Sequence, residues 1–262
     1  MPKVSYERRG ATAVLTIDRP ERRNAVDPET ADQLLEGYRA FEADQEARVL
    51  VLTGSGEDAF CAGADLKSLA AAGTDPALAE QWLAERPDGP LGFTRLTPSK
   101  PTIAAISGWA LAGGLELALW CDLRVGSETA KLGFPERRWG VPLIDGGTQR
   151  LPRIVGLGRG LDLILSGRIV AAEEALRIGL LTELVSPGKH LERALEMAEG
   201  LASFPQETML ADRRAAIEGL GLPLAEGLAL EAKLGSEVAA TGVAGASRFA
   251  SGEGRGGAGA GV

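Results

Sequence analysis

The sequence predicts a mixed α/β fold of repeated strand–strand–helix units followed by a helical C-terminal region. Three observations carry this. The first sixty residues order themselves as strand, strand, helix, strand. Residues 102–121 begin a related unit, with an apolar strand, a Gly turn and a short helix. After Pro152 the pattern turns helical, and residues 205–249 are rich in Ala and Leu.

Taken in order, residues 4–8 and 12–17 alternate as strands around a turn at Gly10. Asp27-Pro28 then sets an N-cap before a proline suited to the first helical position. Leu34, Leu35, Tyr38 and Phe41 follow at helical spacing on one face. Residues 49–53 form an apolar strand closed by Gly54 and Gly56. In the next unit, residues 102–106 are a strand, Ser107-Gly108 a turn, and 113 to about 121 a helix. Short strands are expected at 123–126, 131–134 and 181–185, and helices at 160–166, 171–178 and 191–202. The closing SGEGRGGAGAGV is Gly-rich and expected to be disordered. The organisation predicted is a core at 1–190, a helical oligomerisation region at 191–250 and a tail at 251–262.

At 262 residues the chain can bury a sizeable core. A net charge of −8, with no dense Lys/Arg run, argues against nucleic-acid binding. Cys61 and Cys121 offer no disulfide framework and read as buried reduced thiols of a cytoplasmic protein. The N-terminus MPKVSYERRG shows neither an apolar signal core nor a transit pattern, so no export is expected. Residues 102–121 are long enough to span a membrane, but a carboxylate in mid-run and several glycines favour the strand–turn–helix reading. The one histidine, His190, sits in a polar stretch and reads as solvated. It is too little for a Ser-His-Asp apparatus or a His-rich metal site, so acid–base chemistry must rest mainly on carboxylates.

Three segments carry candidate chemistry. Glu116 is the only charge in TIAAISGWALAGGLELALWC (102–121). An unpaired carboxylate in such a run costs several kcal/mol, and burial raises its pKa. Gly113-Gly114 opens the helix, so free N–H groups and Glu116 one turn on face a common space. A Gly pair for close packing with Glu116 bound to a buried Arg is the alternative. AFCAGADL (59–66) puts small residues and an Asp after a strand, where backbone N–H groups can approach a ligand or where the Asp simply caps a helix. GFPERRWG (133–140) holds Glu136 in a loop, alone indistinguishable from a surface Glu beside two arginines.

Together these segments resemble the crotonase, or enoyl-CoA hydratase/isomerase, superfamily. The similarity runs from DRPERRNAVD (18–27) through AFCAGADL and GWALAGGLELALWCDLRV to GGTQRLPRIVG (146–156) and SGRIVAAEEALRIGLLTELV (166–185). It covers nearly the whole chain apart from the tail and is nearest to enoyl-CoA hydratases. It implies a crotonase-like spiral, an acyl-CoA thioester as substrate, and no separate cofactor, since coenzyme A is part of the substrate. The thioester oxygen would lie between the N–H groups of Ala64 and Gly113, a donor pair of the kind worth about 3–4 kcal/mol each in the transition state. Glu116 would deprotonate the attacking water and Glu136 protonate Cα, one as carboxylate and the other as acid. Which holds the proton at rest is not legible in the sequence. Arg22, Arg23 and Lys67 match the coenzyme's phosphates, with Ala62, Asp65 and Leu66 along its adenine and pantetheine portions. The resemblance also implies a homotrimer or a dimer of trimers.

Asp145, in VPLIDGG, departs from the simplest hydratase pattern, which has small residues there. A relative that dehalogenates an aromatic thioester uses an Asp in this loop as nucleophile, but lacks the two glutamates. Asp145 is left as an arginine partner, a helix cap or, with nearby Trp139, a tuner of substrate choice. The competing activities are double-bond isomerisation, which relies chiefly on the Glu136 position, and a non-catalytic binding role. Both glutamates and the acidic balance speak against the latter.

Overall fold

In a computed structural model, the structure describes residues 2–71 and 84–252. The chain divides into two compact units, Met1–Ala198 and Glu199–Val262. Unit 1 carries strands β1 (Val4–Arg9), β2 (Thr12–Ile17), β3 (Val49–Gly54), β4 (Ala59–Cys61), β5 (Thr102–Ile106), β6 (Trp109–Leu111), β7 (Leu123–Ser127), β8 (Lys131–Gly133), β9 (Ile169–Ala171) and β10 (Glu183–Val185). Its helices are α1 (Pro28–Ala43), α2 (Leu66–Ala71), α3 (Gly113–Trp120), α4 (Gly147–Val155), α5 (Leu157–Ser166) and α6 (Ala172–Arg177), with α7 (His190–Ser203) crossing the boundary. Unit 2 continues with α8 (Gln206–Gly219), α9 (Leu224–Glu237) and α10 (Ala239–Ala250).

A six-stranded sheet runs β1-β2-β3-β5-β7-β10 and a four-stranded sheet runs β4-β6-β8-β9. β1–β2 and β8–β9 are antiparallel, and the other pairs are parallel. The central strands VLVLTG and TIAAI are buried along their whole length, as continuous apolar strands in a parallel sheet covered on both faces should be. In chain order β3, β5 and β7 enter the large sheet, and each is followed by β4, β6 or β8 in the small one. That alternation is the spiral, and α2 and α3 close its first two turns.

The spiral positions the site. Because β4, β6 and β8 are parallel neighbours, their C-terminal ends emerge on one edge. They deliver the AGAD, AGGLE and PE segments side by side, in the crevice outside strand carboxyl ends where parallel sheets bind ligands.

Asp27 caps α1 as expected, its side chain accepting from Thr30 N–H. The 102–121 run is divided among β5, β6 and α3, and no helix among the described residues is long and apolar enough to cross a membrane. Cys61 and Cys121 are buried free thiols, both pushed up by burial. Several boundaries differ from expectation. Helix α5 starts at Leu157 rather than 160, β9 precedes α6, the last strand is only Glu183–Val185, and α4 was not anticipated. The expected tail falls almost wholly at 253–262, outside the described residues.

His190 corrects a sequence expectation. It is buried, 4% exposed, rather than solvated. It opens α7, and the helix turns it inward while its neighbours Lys189 and Leu191 remain more accessible. Its Nδ1 lies 4.0 Å from Glu57 Oε2, and burial lowers its pKa.

Candidate active site

A cavity of about 110 Å³ opens at the strand edge of unit 1. Ala62, Ala64, Asp65 and Leu66 reach it from the end of β4, Ala112, Gly113 and Glu116 from β6 and α3, and Glu136 from beyond β8. Pro90, Leu91 and the 141–145 segment complete the wall, and none of the described lining residues is aromatic.

The two expected donor residues, Ala64 and Gly113, are set by close backbone approach. Val26 and Ala64 form an isolated parallel bridge in which Val26 N–H bonds Gly63 O at 2.8 Å and Asp65 N–H bonds Val26 O at 2.8 Å. That pattern uses the groups flanking Ala64 and turns its own N–H to the other side. Gly113 is the first residue of α3, where an N–H has no intrahelical acceptor. The two segments touch: a Cβ placed on Gly63 (φ +89) would stand 2.8 Å from Gly113 N. A Cβ on Gly114 would stand 2.0 Å from Cys61 O, so only glycine lets α3 sit this close to β4. Ala112, between them, holds φ 53 and ψ −127, a strained conformation for a residue with a side chain.

Glu116 is 2% exposed in a helix buried from Gly114 to Trp120. Among the described residues no arginine forms an ion pair with it, so the alternative of a buried Arg partner is not met. Its Oε1 instead accepts Asp145 N–H at 3.0 Å and Gly147 N–H at 2.7 Å, the latter from the N-terminus of α4. Burial pushes its pKa up to about 8, the Gly147 N–H opposes the shift, and the charges of Asp145 and Glu136 add to it. The two N–H groups fix the carboxyl through one oxygen and leave Oε2 for the cavity.

Glu136 is not in an open loop but in a 3-10 turn, Pro135–Trp139, and is 5% exposed. Among the described residues no other residue donates a hydrogen bond to either of its buried oxygens. Burial pushes its pKa up to about 7, offset only in part by its own N–H and the charge of Arg137. A buried carboxyl left without a partner in a cavity wall is costly, and it is the kind of exception that calls for a functional account. The two glutamates therefore line one cavity, both titrating near neutrality.

The other predicted residues separate. Asp65 lines the cavity, but its carboxylate already caps α2 and meets Arg19 Nη2 at 3.2 Å. Arg22, Arg23 and Lys67 are exposed and stand outside the lining residues. Trp139 is 77% exposed and does not reach the cavity of this chain. Among the described residues Asp145 neither pairs its carboxylate with an arginine nor caps a helix. It is 3% exposed, and its Oδ1 accepts Leu91 N–H at 3.1 Å and the Thr94 hydroxyl. Sequence reasoning missed Pro90, Leu91, whose N–H bonds Asp145 54 residues on, and the buried Arg19, which reaches Asp65 46 residues on. Gly147 was visible only as part of the GGTQR motif.

The enoyl-CoA hydratase/isomerase family model matches residues 7–251. The chain is 42% identical over 236 residues to a probable enoyl-CoA hydratase of Rhizobium meliloti (strain 1021), covering 90% of this chain and 89% of that protein. It is 37% identical to the (E)-benzylidenesuccinyl-CoA hydratase of Thauera aromatica, covering 86% of each. The crystal structure of an enoyl-CoA hydratase from Bacillus anthracis superposes with a TM-score of 0.87 at 32% identity, covering 95% of this chain and 96% of the other. With the strand-edge cavity, the two glutamates and this similarity over almost its full length, the chain belongs to the enoyl-CoA hydratase/isomerase family.

Proposed function

We propose that this protein adds water across the double bond of a 2-trans-enoyl-CoA to give the 3-hydroxyacyl-CoA. The observation that carries the reading is the pairing of two buried, pKa-raised carboxyls with two unused N–H donors in one small apolar cavity. The thioester oxygen accepts hydrogen bonds from Ala64 and Gly113. Glu116 Oε2 holds a water and takes its proton as the oxygen bonds to Cβ. The π electrons move toward the thioester, and the negative charge develops on the oxygen between the two donors. Glu136 delivers its proton to Cα, so both atoms add from the cavity side, a syn addition. One proton has entered on Glu116 and one has left Glu136, and exchange with solvent resets the pair. Isomerisation needs only one such carboxyl, and the presence of both favours hydration.

The exposed Arg22, Arg23 and Lys67 meet the coenzyme's phosphates, and no separate cofactor takes part. Oligomerisation belongs to the same reading. Unit 2 buries Leu234 but leaves Leu220, Leu222, Leu224, Leu228, Val243 and Phe249 exposed, a surface suited to a second copy in a trimer or a dimer of trimers. Buried thiols suit a cytoplasmic setting. The test is turnover of crotonyl-CoA by purified protein. Formation of 3-hydroxybutyryl-CoA supports hydration. Conversion of 3-enoyl but not 2-enoyl thioesters replaces it with isomerisation, and coenzyme A binding without turnover replaces it with a binding role. Light scattering after size exclusion decides the oligomer.

A further inference from the structure

Asp145 is a buried carboxylate of the cavity that the hydration scheme leaves unused. It joins three parts of the site. Its backbone N–H donates to Glu116 Oε1 at 3.0 Å. Its Oδ1 is committed to two donors across the cavity wall, Leu91 N–H at 3.1 Å and the Thr94 hydroxyl. Its carbonyl accepts Arg150 Nη1 at 2.9 Å, and Arg150 Nη2 reaches on to Thr94 O at 2.6 Å. Leu91 then packs against the proposed oxyanion donor, since a Cβ on Gly113 would stand 2.6 Å from Leu91 Cδ1.

The 88–96 segment is anchored at several points, among them Arg39 Nη2 on Asp88 Oδ2 at 3.0 Å and Arg150 Nη2 on Thr94 O at 2.6 Å. At its far end the Phe93 ring packs 5.4 Å from Tyr38 and 4.4 Å from Trp120, and Trp120 Nε1 donates to Leu96 O at 2.8 Å. At its near end, between Gly89 (φ +124) and Gly92 (φ +104), Leu91 is tied down by the Asp145 side chain. Loss of that tie loosens Leu91 beside Gly113 while the aromatic anchor and the Arg39 and Arg150 contacts persist.

We propose that Asp145 is a positioning residue that pins Leu91 and Thr94 against the loop holding Glu116, and so sets the acyl wall of the pocket and restricts it to short chains. The acyl preference rests on the hydratase reading; the pin does not. A cavity of about 110 Å³ takes a short row of water-sized groups, at about 10–15 Å³ of such space for each, and so suits a short acyl chain.

The experiment compares wild type, Asp145→Ala, Asp145→Asn and Thr94→Val with butenoyl-CoA and decenoyl-CoA, together with hydrogen exchange over residues 88–96. Asparagine keeps an Oδ1 able to accept both bonds and removes the charge. For Asp145→Ala we expect KM for butenoyl-CoA to rise about tenfold, the butenoyl-over-decenoyl preference to fall at least fivefold, and exchange at 88–96 to quicken. Asp145→Asn should stay within about threefold of wild type on all three readouts, and Thr94→Val should fall between. Impairment of Asp145→Asn equal to that of Asp145→Ala would overturn the proposal, because the ionised group itself would then be needed. An unchanged chain-length ratio and exchange rate in Asp145→Ala would do the same. Should Asp145→Ala fail to fold, an unchanged ratio and exchange rate in Thr94→Val overturns it. Should wild type hydrate neither thioester, the hydratase reading fails, and the exchange data judge the pin by themselves.

Discussion

Gly147→Ala presses on the Glu116 carboxyl and on the Phe134 ring. Gly147 has no positive φ and begins α4, where alanine is favourable for the helix. A Cβ there would stand 3.0 Å from Glu116 Oε1, 3.1 Å from Glu116 Cγ and 3.0 Å from Phe134 Cζ. Ordinary contact begins at 3.4 Å, so the neighbours must give by about 0.4 Å. Phe134 is fully buried and Glu116 is 2% exposed, so the freer response is for the carboxyl to slide along its cavity wall. That stretches the 2.7 Å bond from Gly147 N–H and moves Oε2 with it. Displacement by 1 Å can cost about a hundredfold, so a shift of this size should lower kcat about tenfold, or about 1.4 kcal/mol, with KM little changed. The assay is steady-state hydration of crotonyl-CoA, with circular dichroism to establish folding. A folded variant whose kcat stays within about twofold of wild type would refute the claim that this N–H places Glu116 for chemistry.

Three more outcomes follow from the same geometry. With Glu136 near 7 and Glu116 near 8, kcat/KM should be bell-shaped with a narrow maximum between those values, the limbs belonging to the pair; a flat profile from pH 6 to 9 would contradict it. Glu136→Gln should stabilise the fold at high pH. The wild-type carboxyl has a folded pKa raised above 4.5, so its penalty is absent at acid pH and grows as pH rises from about 4.5 to about 7. The variant should therefore gain roughly 1–2 kcal/mol in urea unfolding at pH 8 and almost nothing at pH 4, the gain being reduced by water in the adjoining cavity. Ala112→Gly relieves φ 53 and ψ −127 and should raise the urea midpoint by about 1 kcal/mol equivalent, the strain relief exceeding the entropy glycine adds to the unfolded chain; a lower midpoint would show that Ala112 is not strained.

Much of the site was legible because its signals are local. A lone carboxylate in an apolar helix, a Gly pair at that helix's start and an Asp after a strand can each be read within a few residues. The strand–strand–helix order was legible for the long strands, whose apolar runs stand out. Strands β4, β6 and β9 were not, because three residues carry no periodicity and pair only with distant neighbours. His190 misled because its sequence neighbours are polar while α7 turns the ring inward. Glu136 looked like a surface group because burial by the 3-10 turn depends on what packs over it. Asp145 was the hardest, since Leu91 and Thr94 lie 54 and 51 residues away and nothing local marks them as its partners.

The central claim is that two carboxyls divide the proton work of hydration, and Glu136 is the one whose oxygens have no hydrogen-bond partner among the described residues. Replacing it with Gln removes the proton donor while keeping the shape. The account predicts that Glu136→Gln, folded and at least as stable as wild type at pH 8, hydrates crotonyl-CoA about 10²–10⁴-fold more slowly. A rate within about threefold of wild type would contradict it.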